Sequence, residues 1–163
     1  MKIKALTLIL ARGGSQRIPE KNIAKLGGIP LIAHTIRAAK KSKYVSRIVV
    51  STDCPKIAKV ANKHGAETPF FRPAEISQWS STEHEAIKHA LDWLKDNERY
   101  KPDMIVKLFP TSPFRKAKSI DRCMELMANN WECDSVRSVR KVKEHPYKMW
   151  TIRLHASRLK PLT

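Results

Sequence analysis

Across 163 residues, 32 Lys and Arg side chains face 15 Asp and Glu, a formal net charge of +17. Hydrophobic residues make up 42% of the chain, too many for wholesale disorder and enough for a single buried core. The longest near-apolar run, Ala5 to Ala11, is too short to cross a bilayer, and it gives way at Arg12 without the cleavage pattern of a secretory signal.

Lys4 to Leu10 is rich in Leu and β-branched residues and predicts a buried strand. Ala11 to Asn22, with Gly13, Gly14 and Pro19, predicts a long loop. Pro30 then opens a helix in its first turn, with Leu31, Ile32, Thr35, Ile36 and Ala39 at helical spacing. Arg47 to Asp53 predicts a second strand, and Pro55 to Lys63 a helix stopped by Gly65. Thr68 to Phe71 predicts a short strand, followed by a loop over 72–81. Thr82 and Glu85 form a capping box for a helix to Asn97. Met104 to Phe109 predicts a third buried strand, Lys118 to Asn129 a helix, and Ser135 to Val139 and Tyr147 to Arg153 further strands. Near-continuous apolar strands separated by helices predict an α/β fold whose parallel sheet is covered on both faces.

Residues 1–82 carry 15 basic and 4 acidic side chains, and residues 83–163 carry 17 and 11, so the positive excess is spread along the chain. Such a field draws polyanions of any kind. Lys40, Lys41 and Lys43 fall at a helix C-terminus, where cations complement the macrodipole. No basic run is interleaved with aromatics as a single-strand-binding surface would be. Cys54, Cys123 and Cys133 are odd in number, lack zinc spacing, and suit a reduced, cytoplasmic setting.

In an open α/β sheet, ligands bind beyond the carboxyl ends of the strands. That rule puts Arg12 to Arg17, Ser51 to Asp53, and Pro110 to Arg115 at the site. Gly13 and Gly14 let backbone N–H groups approach phosphate oxygens, while Arg12, Arg17 and Lys21 neutralise charge. The loop is neither a Walker A sequence nor G-x-G-x-x-G, and it reads simply as an anion-binding loop.

The segment Leu10-Ala11-Arg12-Gly13-Gly14-Ser15-Gln16-Arg17-Ile18-Pro19-Glu20-Lys21-Asn22 closely resembles the signature of the CMP-sialic acid synthetases (acylneuraminate cytidylyltransferases). Similar segments follow in order: Val50 to Asp53, Arg72 to Glu75, His89-Ala90-Leu91, Pro110 to Arg115, and Glu144 to Lys148. The resemblance implies a Rossmann-like three-layer parallel sheet of the nucleotide-sugar transferase type. Residues 1–134 would form the nucleotide-binding core, and 135–163 the start of a dimerisation and sugar-binding segment. It further implies transfer of CMP from CTP to a sialic-acid-type nine-carbon 2-keto sugar acid, with Mg²⁺ as cofactor and a homodimer as the family's assembly.

By position, Arg12 and Lys21 match the family's phosphate-binding residues and are the expected catalytic pair. Leu10, Ala11, Gly13, Ser15 and Asn22 complete the nucleotide loop, and Arg72, Ser81 and Thr82 match the region that holds cytidine. Thr111, Ser112 and Arg115 fall near the sugar, and Lys148 matches a basic residue that reaches the sugar acid in the partner subunit's site. No metal ligand is assigned, because the family's late Asp pair has no counterpart before Thr163. Relatives commonly have Lys where Gln16 stands and Gln where Phe109 stands, so one phosphate contact and one sugar contact differ. Each assignment has a plainer rival: Arg72 could pair with Glu75 at the surface, Asp53 could hold a loop, and His34 and His89 could pack. Two other functions compete with the transferase: a CTP-binding fragment without turnover, and a basic nucleic-acid-binding module. A chain ending within the dimerisation segment would dimerise weakly or aggregate.

Overall fold

The computed structural model describes residues 3–130 and 132–139, together with the backbone of two strands at 150–153 and 158–161. Along the chain these are β1 (Ala5–Leu10), β2 (Lys25–Leu26), β3 (Ile29–Pro30), α1 (Leu31–Lys40), β4 (Val45–Ser51) and α2 (Pro55–Lys63). A short 3-10 turn at Ala74–Ile76 precedes α3 (Glu83–Glu98), β5 (Met104–Leu108), α4 (Ala117–Asn129), β6 (Trp150–Arg153) and β7 (Arg158–Pro161). The central sheet is parallel with order β4-β1-β5.

Side chains alternate across a strand, so β1 feeds two cores. Leu6, Leu8 and Leu10 pack with Val49 and Phe70 against Ala86, Ala90 and Leu94 of α3. Ala5 and Ile9 join Ile48 and Val50 against residues of α1, α2 and α4. Both faces of β1 are covered, which is why its sequence reads as one apolar run. The result is the expected three-layer α/β arrangement.

β5 departs from the expected fully buried strand. Met104, Val106 and Leu108 face the larger core, whereas Ile105 and Lys107 are exposed. Its only partner among the described residues is β1, so its pattern is that of an edge. The strand expected at Thr68 to Phe71 is reduced to one parallel bridge between Val49 and Glu67. Glu67 exchanges backbone bonds with Ile48 and Val50, each 2.8 Å, and Pro69 then lacks the N–H needed to extend the ladder. Ser135 to Val139 is not a strand, because no neighbouring strand pairs with it among the described residues. Of the strand expected at Tyr147 to Arg153, Trp150–Arg153 is β6, paired antiparallel with β7; 147–149 lie outside the described residues. Pro30 is the N-cap of α1 rather than its first turn.

The β2–β3 hairpin was not anticipated from sequence. Gly27 (φ 58°) and Gly28 (φ 78°) supply the two left-handed residues that a tight two-residue connection requires. The capping box of α3 forms as expected: Thr82 Oγ1 accepts from the Glu85 N–H at 3.3 Å, and Glu85 Oε2 accepts from the Thr82 N–H at 2.7 Å. The Thr82 N–H, and after it the Thr82 hydroxyl donating to the same Oε2 at 2.8 Å, hold the Glu85 carboxyl below its ordinary range. At the other end of α3, Arg47 bonds Glu67 and Glu98 and lies 4.9 Å from the Tyr100 ring, tying β4 to the helix terminus.

His34 and His89 both serve the scaffold. His34 Nε2 lies 3.0 Å from the Leu26 carbonyl, joining α1 to the hairpin. His89 packs edge-on against Phe70, with ring centroids 5.1 Å apart. Burial first, then the positive charge of Arg72, lowers the His89 pKa below its ordinary 6.5, with Asp92 opposing weakly. The unfolded chain therefore takes up this proton at higher pH than the folded chain does. Stability is expected to fall as pH drops below about 6.5, and His89→Leu is expected to flatten that decline. Melting temperatures between about pH 7.5 and 5.5 check this.

Candidate nucleotide-binding site

The loop after β1 is fixed from beneath by the end of β4. Asp53 Oδ1 accepts the Gly13 N–H at 2.7 Å, and Asn22 Nδ2 donates to the Arg12 carbonyl at 2.9 Å. The Asn22 carbonyl in turn accepts the Ile32 N–H at 2.8 Å, locking the loop's far end to α1. The approach at Gly13 is close: a Cβ there would lie 2.9 Å from the Cys54 Cβ. Gly13→Ala is expected to push the loop outward, costing about 1–3 kcal/mol of stability. Chemical denaturation measures the effect.

Arg72 forms the floor. It is 7% exposed; its Nε donates to Ser51 Oγ at 3.0 Å and its NH2 to the Ser51 carbonyl at 2.6 Å. The surface pairing with Glu75 does not occur, because the side chain turns inward to β4. Burial disfavours the charged guanidinium, nearby Asp53 favours it, and Arg12 again opposes it. Arginine keeps its proton in proteins, so the cost of burial persists until an anion approaches.

Above this floor a cleft of about 480 Å³ opens over the carboxyl ends of β1 and β5. Of the nucleotide-binding residues expected from sequence, Leu10, Arg12, Ser15, Lys21, Asn22, Arg72, Ser81 and Thr82 line it. Ala11 and Gly13 do not: Ala11 is buried in the core, and Gly13 makes the anchor just described. Gln16 and Arg17 both reach the cleft wall, so the residue replacing the usual Lys stands beside a cation. Ser51, Thr52 and Asp53 act one layer below it, supporting Arg72, the Cys54 N–H and the Gly13 N–H. Opposite the loop, the Arg12 guanidinium donates to the Gln78 carbonyl at 2.5 Å, joining the cationic loop to the turn before α3.

Thr111 lines the same cleft, but Ser112 does not. Arg115 lies elsewhere, in a depression with His34, Arg37, Lys41 and Lys116 between α1 and α4. Burial lowers its pKa, and one of its terminal nitrogens has no partner among the described residues. Lys148 and His145 lie outside the described residues. Gln78, Trp79, Glu83 and Ala86 were not expected to line the cleft. Phe109, which the resemblance put at a sugar-contact position, lines it too.

Among the described residues no group of three or more His, Cys, Asp or Glu side chains could hold a metal ion. Carboxylates of the loop and cleft are already engaged: Glu20 by Lys56 Nζ at 2.6 Å, Asp53 by the Gly13 N–H, and Glu83 by Lys107 Nζ at 2.5 Å. Among the described residues, these carboxylates do not fit a Mg²⁺ site. No helix among them is long and apolar enough to cross a membrane. Cys54, Cys123 and Cys133 are free thiols.

A cationic loop lying over the strand ends of a three-layer sheet is the architecture of a nucleotide-binding α/β protein. Comparison with known proteins narrows the class: the Cytidylyltransferase family matches residues 6–149, and the chain belongs to it. CMP-N,N'-diacetyllegionaminic acid synthase of Legionella pneumophila is 40% identical over 126 residues, covering 76% of this chain and 53% of that protein. N-acylneuraminate cytidylyltransferase A of Danio rerio is 40% identical over 141 residues, covering 86% of this chain and 31% of that protein. In fold, the chain is similar to CMP:2-keto-3-deoxy-manno-octonic acid synthetase complexed with CTP. The TM-score is 0.64 at 20% identity, covering 78% of this chain and 48% of that structure. The chain spans between 53% and 60% of the length of three bacterial relatives, and between 29% and 35% of four other relatives.

Proposed function

We propose that the cleft binds CTP and that the chain transfers CMP to a sialic-acid-type nine-carbon 2-keto sugar acid, releasing pyrophosphate. The observation that carries this reading is Arg72, a buried guanidinium bonded only to neutral groups of Ser51 at the base of a cationic cleft. Membership of the cytidylyltransferase family supports CTP as the nucleotide.

In this reading the sugar's anomeric hydroxyl oxygen forms a bond to the α-phosphorus and gives up its proton to water, while the bond to the β-phosphate oxygen breaks and pyrophosphate leaves. Arg12 and Lys21 hold the phosphates and offset charge as pyrophosphate departs. Asp53 and Asn22 keep the loop in place without touching the reacting atoms, so binding energy is not spent on ordering it. Ser81 and Thr82 face the cytidine, and Thr111 the sugar side of the cleft. Ser112, Arg115 and Lys148 remain sugar-side residues of this proposal, contributing only if a second subunit or the sugar itself brings them to the cleft. Relatives of equal identity carry names for different sugars, legionaminic and neuraminic, so similarity alone does not choose between them.

The test is release of pyrophosphate from CTP and Mg²⁺, with N-acetylneuraminic, legionaminic and pseudaminic acids offered in parallel. Turnover with one of them, and none with ATP, supports the reading. CTP binding with no turnover on any of them would reduce the function to nucleotide binding.

A further inference from the structure

We infer that Trp79 is the platform on which the nucleobase of the bound nucleotide stacks. This inference rests on the nucleotide reading of the cleft. Trp79 is 75% exposed and lines the cleft together with Ser81 and Thr82. A large aromatic left open to water at a cleft wall forgoes burial that a flat ligand would restore.

The turn that carries the indole is held in place. Gln78 Nε2 donates to the Ala74 carbonyl at 2.8 Å, and Ser77 Oγ to the Pro73 carbonyl at 2.8 Å. Ser81 Oγ accepts the Gln78 N–H at 2.9 Å and lies 3.3 Å from the Glu75 carbonyl. Arg12 reaches across the cleft to the Gln78 carbonyl, immediately before Trp79. The indole is thus presented on a turn whose neighbours are pinned on both sides, while its own ring stays free. Such preorganisation lowers the ordering cost when a ligand arrives.

The position also suits a base. Arg17 and Lys21 gather positive charge on the loop side of the cleft, while Trp79 stands on the opposing turn, to which Arg12 reaches across. A nucleotide is charged at one end and flat and aromatic at the other, which matches that division. A sugar acid offers no aromatic face for the indole.

The experiment follows tryptophan fluorescence during titration with CTP, pyrophosphate and N-acetylneuraminic acid, in the wild-type protein and in Trp79→Phe. Calorimetry measures CTP affinity in both, and in Trp79→Ala. The inference expects quenching by CTP but not by pyrophosphate, and loss of that quenching in Trp79→Phe while CTP still binds. It expects Trp79→Ala to bind CTP about 5- to 100-fold more weakly, the usual loss for a stacked base. Equal CTP affinity in Trp79→Ala and wild type would overturn the inference while leaving the cleft as a nucleotide site. Quenching by the sugar acid alone would also overturn it, by moving Trp79 to the sugar side. Absence of any CTP binding in the wild type would overturn both this inference and the nucleotide reading beneath it.

Discussion

Arg12→Ala is expected to lower the rate of pyrophosphate release about 100- to 1,000-fold, the usual loss when one donor to a developing charge is removed. The size of the effect follows from two roles combined in one side chain. In the proposed function Arg12 holds the phosphates, and in the structure it lines the cleft and bridges the loop to the Gln78 carbonyl. Arg12→Lys keeps the charge but loses the planar geometry that reaches two partners, so it is expected to recover only part of the rate. Steady-state kinetics separate the roles. Lost charge stabilisation lowers kcat, whereas a loosened turn raises KM and increases amide hydrogen exchange over 74–82.

Arg72→Met is expected to weaken CTP binding about 10- to 100-fold while changing stability by no more than about 1 kcal/mol. A buried arginine would ordinarily be costly to remove, but two features offset the loss here. The side chain carries no hydrogen-bonded carboxylate, so its charge is offset only through space, by Asp53. The Ser51 carbonyl that it bonds also accepts the Ala11 N–H at 3.1 Å, and it stays satisfied when Arg72 is gone. Methionine fills comparable volume without a charge. Calorimetric titration with CTP and thermal melts of the same samples check both halves. A large loss of stability with intact binding would assign Arg72 to the scaffold instead.

Sequence patterning located β1, β4, α2 and α3 well because each obeys a local rule. β1 is apolar throughout because both of its faces are covered, and α3 announces itself through the Thr82–Glu85 capping box. The failures share a cause. Thr68 to Phe71 has strand-like side chains, but pairing depends on a neighbour and on backbone N–H groups, and Pro69 removes one. Whether Ile105 is buried depends on what lies over the sheet edge, which the strand's own residues do not encode.

At the site, the loop residues were legible because glycine and arginine beside a strand end have few other uses. That Asp53 anchors Gly13, and that Arg72 turns inward to Ser51, are contacts between residues 40 and 21 positions apart. Trp79 was invisible for the same reason: an aromatic in a polar loop acquires meaning only once the turn folds back across Arg12. Arg115 shows the converse, with a motif position that matches the family yet opens into a different depression.

The most direct test of the central claim, that the cleft over the strand ends holds CTP, is amide chemical-shift mapping by NMR as CTP is added to isotope-labelled protein. The account predicts saturable shifts concentrated in 10–22, 72–82 and 109–111. Shifts confined to the Arg37–Arg115 depression, or none at any concentration, would contradict it.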